Sequence, residues 1–197
     1  TFQGNEGDST LVRLYHSDPG CGSPNYVIHG AANARHYIFR KMTLEGISTG
    51  ASRVMFFNQG GVDITIENCL LKSATIGAGG DCYPLIYCPE NINLIARNNF
   101  FQNGSKGIWV ASASGQQSKV EITGNEFYRQ VDEAIILDYC NNAIVHNNSI
   151  YSNIGMIDGI YLQRCNQSIS ILRNKISLEI YAAAPYENAF GIKLLDC

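Results

Sequence analysis

The chain has 197 residues, 45% of them hydrophobic and 16% charged, with 14 Lys and Arg against 17 Asp and Glu for a net charge of −3. That balance excludes a polybasic nucleic-acid grip and a disordered tail, and the length is enough for one domain with a core. No run of about 18 apolar residues occurs, so no membrane span is expected.

Short Asn and Gly clusters are scattered along the whole chain, which predicts many turns. A pattern of apolar, x, apolar, x, x, Asn, x, apolar recurs between them. In chain order its copies are YIFRKMTL, ITIENCLL, NLIARNNF, VEITGNEF, AIVHNNSI and ISILRNKI. The register position runs Met42, Cys69, Asn98, Asn125, Asn148, Asn174, at spacings of 27, 29, 27, 23 and 26. Each copy is followed by a second apolar run: VMFF, LIYC, GIWV, AIIL, GIYL and GIKL. These are short period-2 segments without helical periodicity. A repeat of this length with no helix excludes ankyrin, TPR and HEAT arrays and predicts an all-β parallel β-helix of six to seven coils, forming a single domain over residues 1–197.

In such a coil, equivalent residues stack about 4.8 Å apart. Asn98, Asn125, Asn148 and Asn174 are therefore expected to form a ladder in which each buried amide bonds to its neighbours. Of the seven cysteines, Cys140, Cys165 and Cys197 share a spacing after the second run and should form another column of reduced, buried thiols, since rung spacing is too wide for a relaxed disulfide. Cys21 and Cys82, in Gly-rich loops, are the pair that could bridge, or remain unpaired. No CxxC pair or Cys/His cluster predicts a metal framework.

The motifs DITIENCLL, VEITGNEF, AIVHNNSIYSN and GIYLQRCNQSISILRNKI resemble the right-handed parallel β-helix repeat of the pectate-lyase-like superfamily, over about Tyr26 to Cys197. The resemblance implies that fold and an extracellular or cell-surface bacterial setting. It does not carry an activity, because the fold hosts lyases, hydrolases, epimerases, tail spikes and adhesins. The NTD, DD, GHG and RIK segments of polygalacturonase-like enzymes and the WiDH and RxPxxR motifs of pectate lyases are not found, apart from a faint likeness in GIKL. The chain also stops inside the sixth copy of the second run, which suggests a piece of a longer protein whose further coils or cap follow Cys197.

Strand alternation assigns the outer faces. On the second run the inward pairs are Val54/Phe56, Leu85/Tyr87, Ile108/Val110, Ile135/Leu137, Ile160/Leu162 and Ile192/Leu194. The outward residues between them are Met55, Ile86, Trp109, Ile136, Tyr161 and Lys193, followed outward by Phe57, Cys88, Ala111, Asp138, Gln163 and Leu195. This is an apolar stripe that would stack sugars, dock a partner, or lie under the loops 76–84 and 178–190. After the Asn column, Phe101, Tyr128 and Tyr151 should stack outward on three rungs, as a surface stabiliser or a platform for pyranose rings. At the corner before the second run, Asp81, Lys106, Asp132, Glu133, Asp158 and Glu187 gather, with Glu133 and Asp158 on adjacent rungs. Two such carboxylates could hold calcium or share acid–base work, or simply form a solvated acidic turn. His146 lies at another corner, near Arg97 and Arg173.

The expectation is a noncatalytic secreted or cell-surface scaffold or adhesin module, contacting polysaccharide or neighbouring domains, with Trp109, Tyr161, Tyr128, Tyr151 and Phe101 as ligand-binding candidates. No cofactor is expected apart from calcium at Glu133 and Asp158. The alternatives are a polysaccharide lyase or glycosidase, with Glu133, Asp158, Asp138 and Lys193 as its candidate catalytic residues, and a trimeric tail-spike domain.

Overall fold

The computed structural model describes residues 1–4, 12–17, 26–31, 35–47, 53–58, 63–74, 84–90, 92–112, 118–154, 158–165, 167–179 and 189–197. The chain winds as a parallel β-solenoid of three sheets, each seven-stranded among the described residues. The first sheet includes Ile64–Glu67, Asn93–Arg97, Lys119–Thr123, Asn142–His146 and Ile169–Leu172. The second includes Leu70–Ser73, Phe100–Gln102, Glu126–Tyr128, Ser149–Ser152 and Lys175–Leu178. The third includes Arg53–Phe57, Ile86–Cys88, Ile108–Ala111, Glu133–Asp138, Asp158–Gln163 and Phe190–Leu195. Every strand pairs in parallel with its counterpart one coil away, as the repeat predicts. No helix among the described residues is long and apolar enough to cross a membrane.

Alternation along these short strands fills the interior with columns of like residues. Leu44, Leu71, Phe101, Phe127 and Ile150 form one, all at most 1% exposed. Met55, Ile86, Ile108, Ile135 and Ile160 form another, each fully buried. A buried aliphatic or aromatic side chain of this size contributes about 1.5–3 kcal/mol, so the columns supply the main stabilisation. Phe101 and Phe127 add a stacked contact, 4.6 Å between centroids.

The bend from first to second sheet is made by one residue in the left-handed region: Lys41, Asn68, Asn98, Gly124, Asn147 and Arg173, with φ of 50 to 65°. Asn and Gly tolerate that conformation best, which explains their abundance here. The next residue in each coil is the ladder residue. Asn99, Asn125, Asn148 and Asn174 form the ladder: Oδ1 of each of the last three accepts from the backbone nitrogen of the preceding member at 2.9 Å, and its Nδ2 donates to a first-sheet carbonyl. Asn99 therefore replaces the expected Asn98. In NLIARNNF the strand frame begins one residue later, at Leu94, because Leu94 pairs with Ile64 and Val120. The slip also turns Phe101 inward, so Phe101 is no outer-face residue.

The third sheet carries a second correction. Met55, Ile86, Phe57 and Cys88 point inward, while Phe56 and Tyr87 point outward beside Trp109. The alternation that aligned VMFF and LIYC with GIWV fails at the bend into the strand. There two consecutive residues, Val54–Met55 and Leu85–Ile86, both face the core. Gly107 sits at the same bend, where a Cβ would lie 2.5 Å from the Ala134 carbonyl oxygen and 2.5 Å from the Phe127 ring.

Candidate functional site

Register alone builds the outer face of the third sheet. Pairing places His29, Phe56, Tyr87, Trp109, Ile136, Tyr161 and Lys193 in one column across successive coils. The first four rings form a continuous ladder with centroids 5.4, 5.6 and 4.4 Å apart. Strand spacing imposes these separations, and only the Tyr87–Trp109 pair lies at the near end of the range aromatic pairs prefer. Cations lie over the rings: the Arg53 guanidinium is 5.1 Å from Phe56 and 5.3 Å from Tyr87, Lys106 is 5.2 Å from Trp109, and Lys193 is 4.8 Å from Tyr161. Ile136, at 6% exposure, separates the four-ring ladder from Tyr161. His29, Phe56, Tyr87 and Arg53 were absent from the expected binding set. The signal for them lay in the triads MFF, IYC, IWV, IIL, IYL and IKL, which align the aromatic residues as the middle member.

The corner beside this face holds the expected carboxylates. Glu133 and Asp158 pair in register on adjacent coils. Lys106 Nζ lies 3.1 Å from Asp132 Oδ2 and 3.9 Å from Glu133 Oε2, and Lys193 Nζ lies 3.4 Å from Asp158 Oδ2. The Phe190 backbone nitrogen donates to Asp158 Oδ1 at 3.3 Å. Burial pushes the Glu133 carboxyl up to about 7; Lys106 and Lys193 pull it down while Asp132 and Asp158 raise it. Asp158 is only 1% exposed. The corner is thus an ion-paired cluster between the Trp109 and Tyr161 rings. Calcium takes six to eight oxygens, whereas ammonium groups stand against these carboxylates.

Asp138 is held apart from that cluster. Arg164 grips it with Nε at 3.0 Å and Nη2 at 2.6 Å while stacking over Tyr139 at 4.2 Å. On the second sheet, Tyr128 and Tyr151 stack at 5.6 Å, and Phe100, not Phe101, is the third ring, 6.4 Å from Tyr128. His146 bonds Ser170 at 2.8 Å on the first sheet. Cys21, Cys82, Asp81, Glu187 and most of the loops 76–84 and 178–190 lie outside the described residues.

Cys140 and Cys165 are buried free thiols as expected, while Cys197 is exposed. Each follows a left-handed residue, Tyr139, Arg164 or Asp196, and the Cys165 nitrogen donates to Cys197 Sγ at 3.3 Å. They repeat the geometry of the Asn ladder with sulfur in place of the amide oxygen.

The family described as periplasmic copper-binding protein (NosD) matches residues 43–196, over three quarters of the chain. No curated protein and no solved structure is matched. Copper draws thiolate, thioether or imidazole ligands. Among the described residues no three His, Cys, Asp or Glu side chains group to hold an ion. Met42 and Met55 are core residues. His29, His36 and His146 bond to Asn58, Asp63 and Ser170 in separate places. The stacked thiols are turned to backbone carbonyls, and burial raises the Cys140 and Cys165 thiols, the latter to about 11. The described residues therefore do not fit a copper centre. The parallel three-sheet coil and the extent of the match settle the lineage: the chain belongs to the NosD family, right-handed β-helices of the pectate-lyase-like fold found outside the cytoplasm.

Proposed function

We propose that the chain is a noncatalytic periplasmic or surface β-helix scaffold that binds glycans along the outer face of its third sheet. The observation that carries this reading is the ladder His29, Phe56, Tyr87 and Trp109, four rings on successive coils with Arg53 and Lys106 over them. The half-buried edges of rings stacked one strand apart offer a sugar chain an apolar track, and the Arg53 guanidinium beside it orients the sugar's oxygens. Tyr161, one rung beyond Ile136, extends the same track.

The charged corner supports a binding role over a catalytic one. An acid–base pair must reach the scissile bond, whereas Asp158 is buried and faces Lys193, and Asp138 is chelated by Arg164. The copper in the family's description finds no matching donor set among the described residues, so no metal enters the proposal.

The test is affinity electrophoresis and calorimetry on soluble polysaccharides, with product analysis by chromatography. The expected result is binding that Trp109→Ala and Tyr87→Ala each weaken about five- to tenfold, consistent with loss of one ring at about 1–1.5 kcal/mol, with no product formed. Cleavage abolished by Glu133→Gln, or binding indifferent to both ring deletions, overturns it.

A further inference from the structure

A second place on the molecule has the chemistry of a sugar site and lies away from the third sheet. At the bend from first to second sheet, a hollow of about 420 Å³ is lined by Asn68, Leu70, Asn98, Phe100, Gly124 and Glu126, with Cys69 and Asn99 at its base. Its volume is within the range of small-molecule sites.

The hollow follows from one interruption in the column of left-handed residues. Asn68, Asn98 and Asn147 carry side chains there; Gly124, at φ 65°, carries none. The Asn98 carboxamide leans into the vacated room, its Oδ1 2.5 Å from where a Gly124 Cβ would stand. The backbone around it is fixed by bonds from Asn68 N to Arg97 O at 3.1 Å, Asn98 N to Thr123 O at 3.0 Å and Gly124 N to His146 O at 3.0 Å. The polar groups are thus presented on a rigid frame.

Their bonding sets them apart from the ladder one residue further on. Asn99 and Asn125 use their amides on neighbouring coils. The side chains of Asn68, Asn98 and Glu126 make no hydrogen bond or ion pair with any described residue. Two exposed carboxamides, each both donor and acceptor, and an exposed carboxylate thus converge around one hollow with unused capacity. Phe100, half-buried and stacked at 6.4 Å on Tyr128, supplies an aromatic edge to the same space.

We propose that this corner hollow binds a single neutral or amino hexopyranose. The apolar face of the sugar rests on Phe100, adjacent hydroxyls exchange hydrogen bonds with the Asn68 and Asn98 carboxamides, and a hydroxyl or ammonium donates to Glu126. The carboxylate disfavours uronic acids, in contrast to the cation-flanked third-sheet ladder. The site stands independently of that ladder.

The test is saturation-transfer and chemical-shift NMR with glucose, galactose, glucosamine, N-acetylglucosamine and galacturonate, on the intact chain and on Gly124→Asn, Phe100→Ala, Glu126→Gln and Trp109→Ala. Gly124→Asn restores the residue type of the neighbouring corners, tolerates positive φ and fills the hollow. The expected result is shifts of the Asn68, Asn98 and Glu126 signals with at least one neutral or amino sugar, and none at those signals with galacturonate. Gly124→Asn and Phe100→Ala abolish those shifts, and Glu126→Gln weakens glucosamine at least tenfold. If Gly124→Asn unfolds the protein, Phe100→Ala and Glu126→Gln decide. Binding lost in Trp109→Ala and kept in Phe100→Ala assigns the sugar to the third sheet and overturns the corner site. No shift of the Asn68, Asn98 and Glu126 signals with any of the sugars also overturns it.

Discussion

Oδ1 of Asn125 accepts two hydrogen bonds from Asn99, one from the backbone nitrogen at 2.9 Å and one from Nδ2 at 3.0 Å. Asn125 Nδ2 in turn donates to the Ala96 carbonyl at 2.9 Å and to Asn148 Oδ1 at 3.0 Å. Truncation at Asn125 therefore orphans groups on two neighbouring coils in a site that is 1% exposed. Asn125→Ala is expected to lower unfolding free energy by about 2–4 kcal/mol, the combined cost of lost bonds and unsatisfied buried partners. Urea unfolding measures it. Asn98→Gly, which keeps the left-handed φ of 52° at the exposed corner, should cost less than about 1 kcal/mol, and equal losses at the two positions would refute the assignment of Asn99 to the ladder.

The periodicity of about two dozen residues sufficed to read the parallel coil, because stacking like on like in a solenoid leaves a direct trace in sequence. Registers inside a coil were less legible. NLIARNNF offers two adjacent asparagines, one for the left-handed bend and one for the ladder, and only the pairing of Leu94 with Val120 decides between them. Likewise the alternation rule assumes an extended chain, and it fails at the bend where Val54 and Met55 both turn inward. The adjacency of Glu133 and Asp158 could be counted out along the chain. The placing of Lys106 and Lys193 beside them depends on side-chain reach across coils, which spacing does not encode.

Glu133 makes stability depend on pH. Its carboxyl is raised from 4.5 in the unfolded chain to about 7 in the fold. A raised acid binds its proton more tightly when folded, so its destabilising effect is absent below about pH 4.5 and grows as pH climbs through about 7. The full cost is on the order of 3 kcal/mol. Glu133→Gln is expected to remove this slope and to stabilise the protein at about pH 8 relative to the parent. Parallel stability curves for the two proteins from about pH 5 to pH 8 would contradict the raised value.

Two glycines of the GI runs, Gly107 and Gly159, are required by close packing. A Cβ at Gly159 would stand 2.6 Å from the Gly191 carbonyl oxygen and 2.8 Å from Ile176 Cγ2, and the former is backbone that cannot swing aside. Gly159→Ala should cost about 1–3 kcal/mol through displaced strands. At Gly191, in the last described coil, nothing lies within 4 Å of the added atom. Gly191→Ala is therefore expected to be neutral or slightly stabilising, and thermal melts of the pair test the contrast.

Thiol chemistry should follow the columns. Cys88 and Cys140 are fully buried, and desolvation raises both thiols far above the ordinary range; Cys69 rises to about 11 for the same reason. Alkylation proceeds through the thiolate, so at about pH 8 the folded protein presents almost none at these positions. Site-resolved mass spectrometry after iodoacetamide treatment is expected to find Cys197 modified and Cys69, Cys88, Cys140 and Cys165 protected until denaturant is added. Rapid labelling of Cys140 in the folded chain would mean that the third-sheet column is open, and would undo the placement of the aromatic ladder built on its outer side.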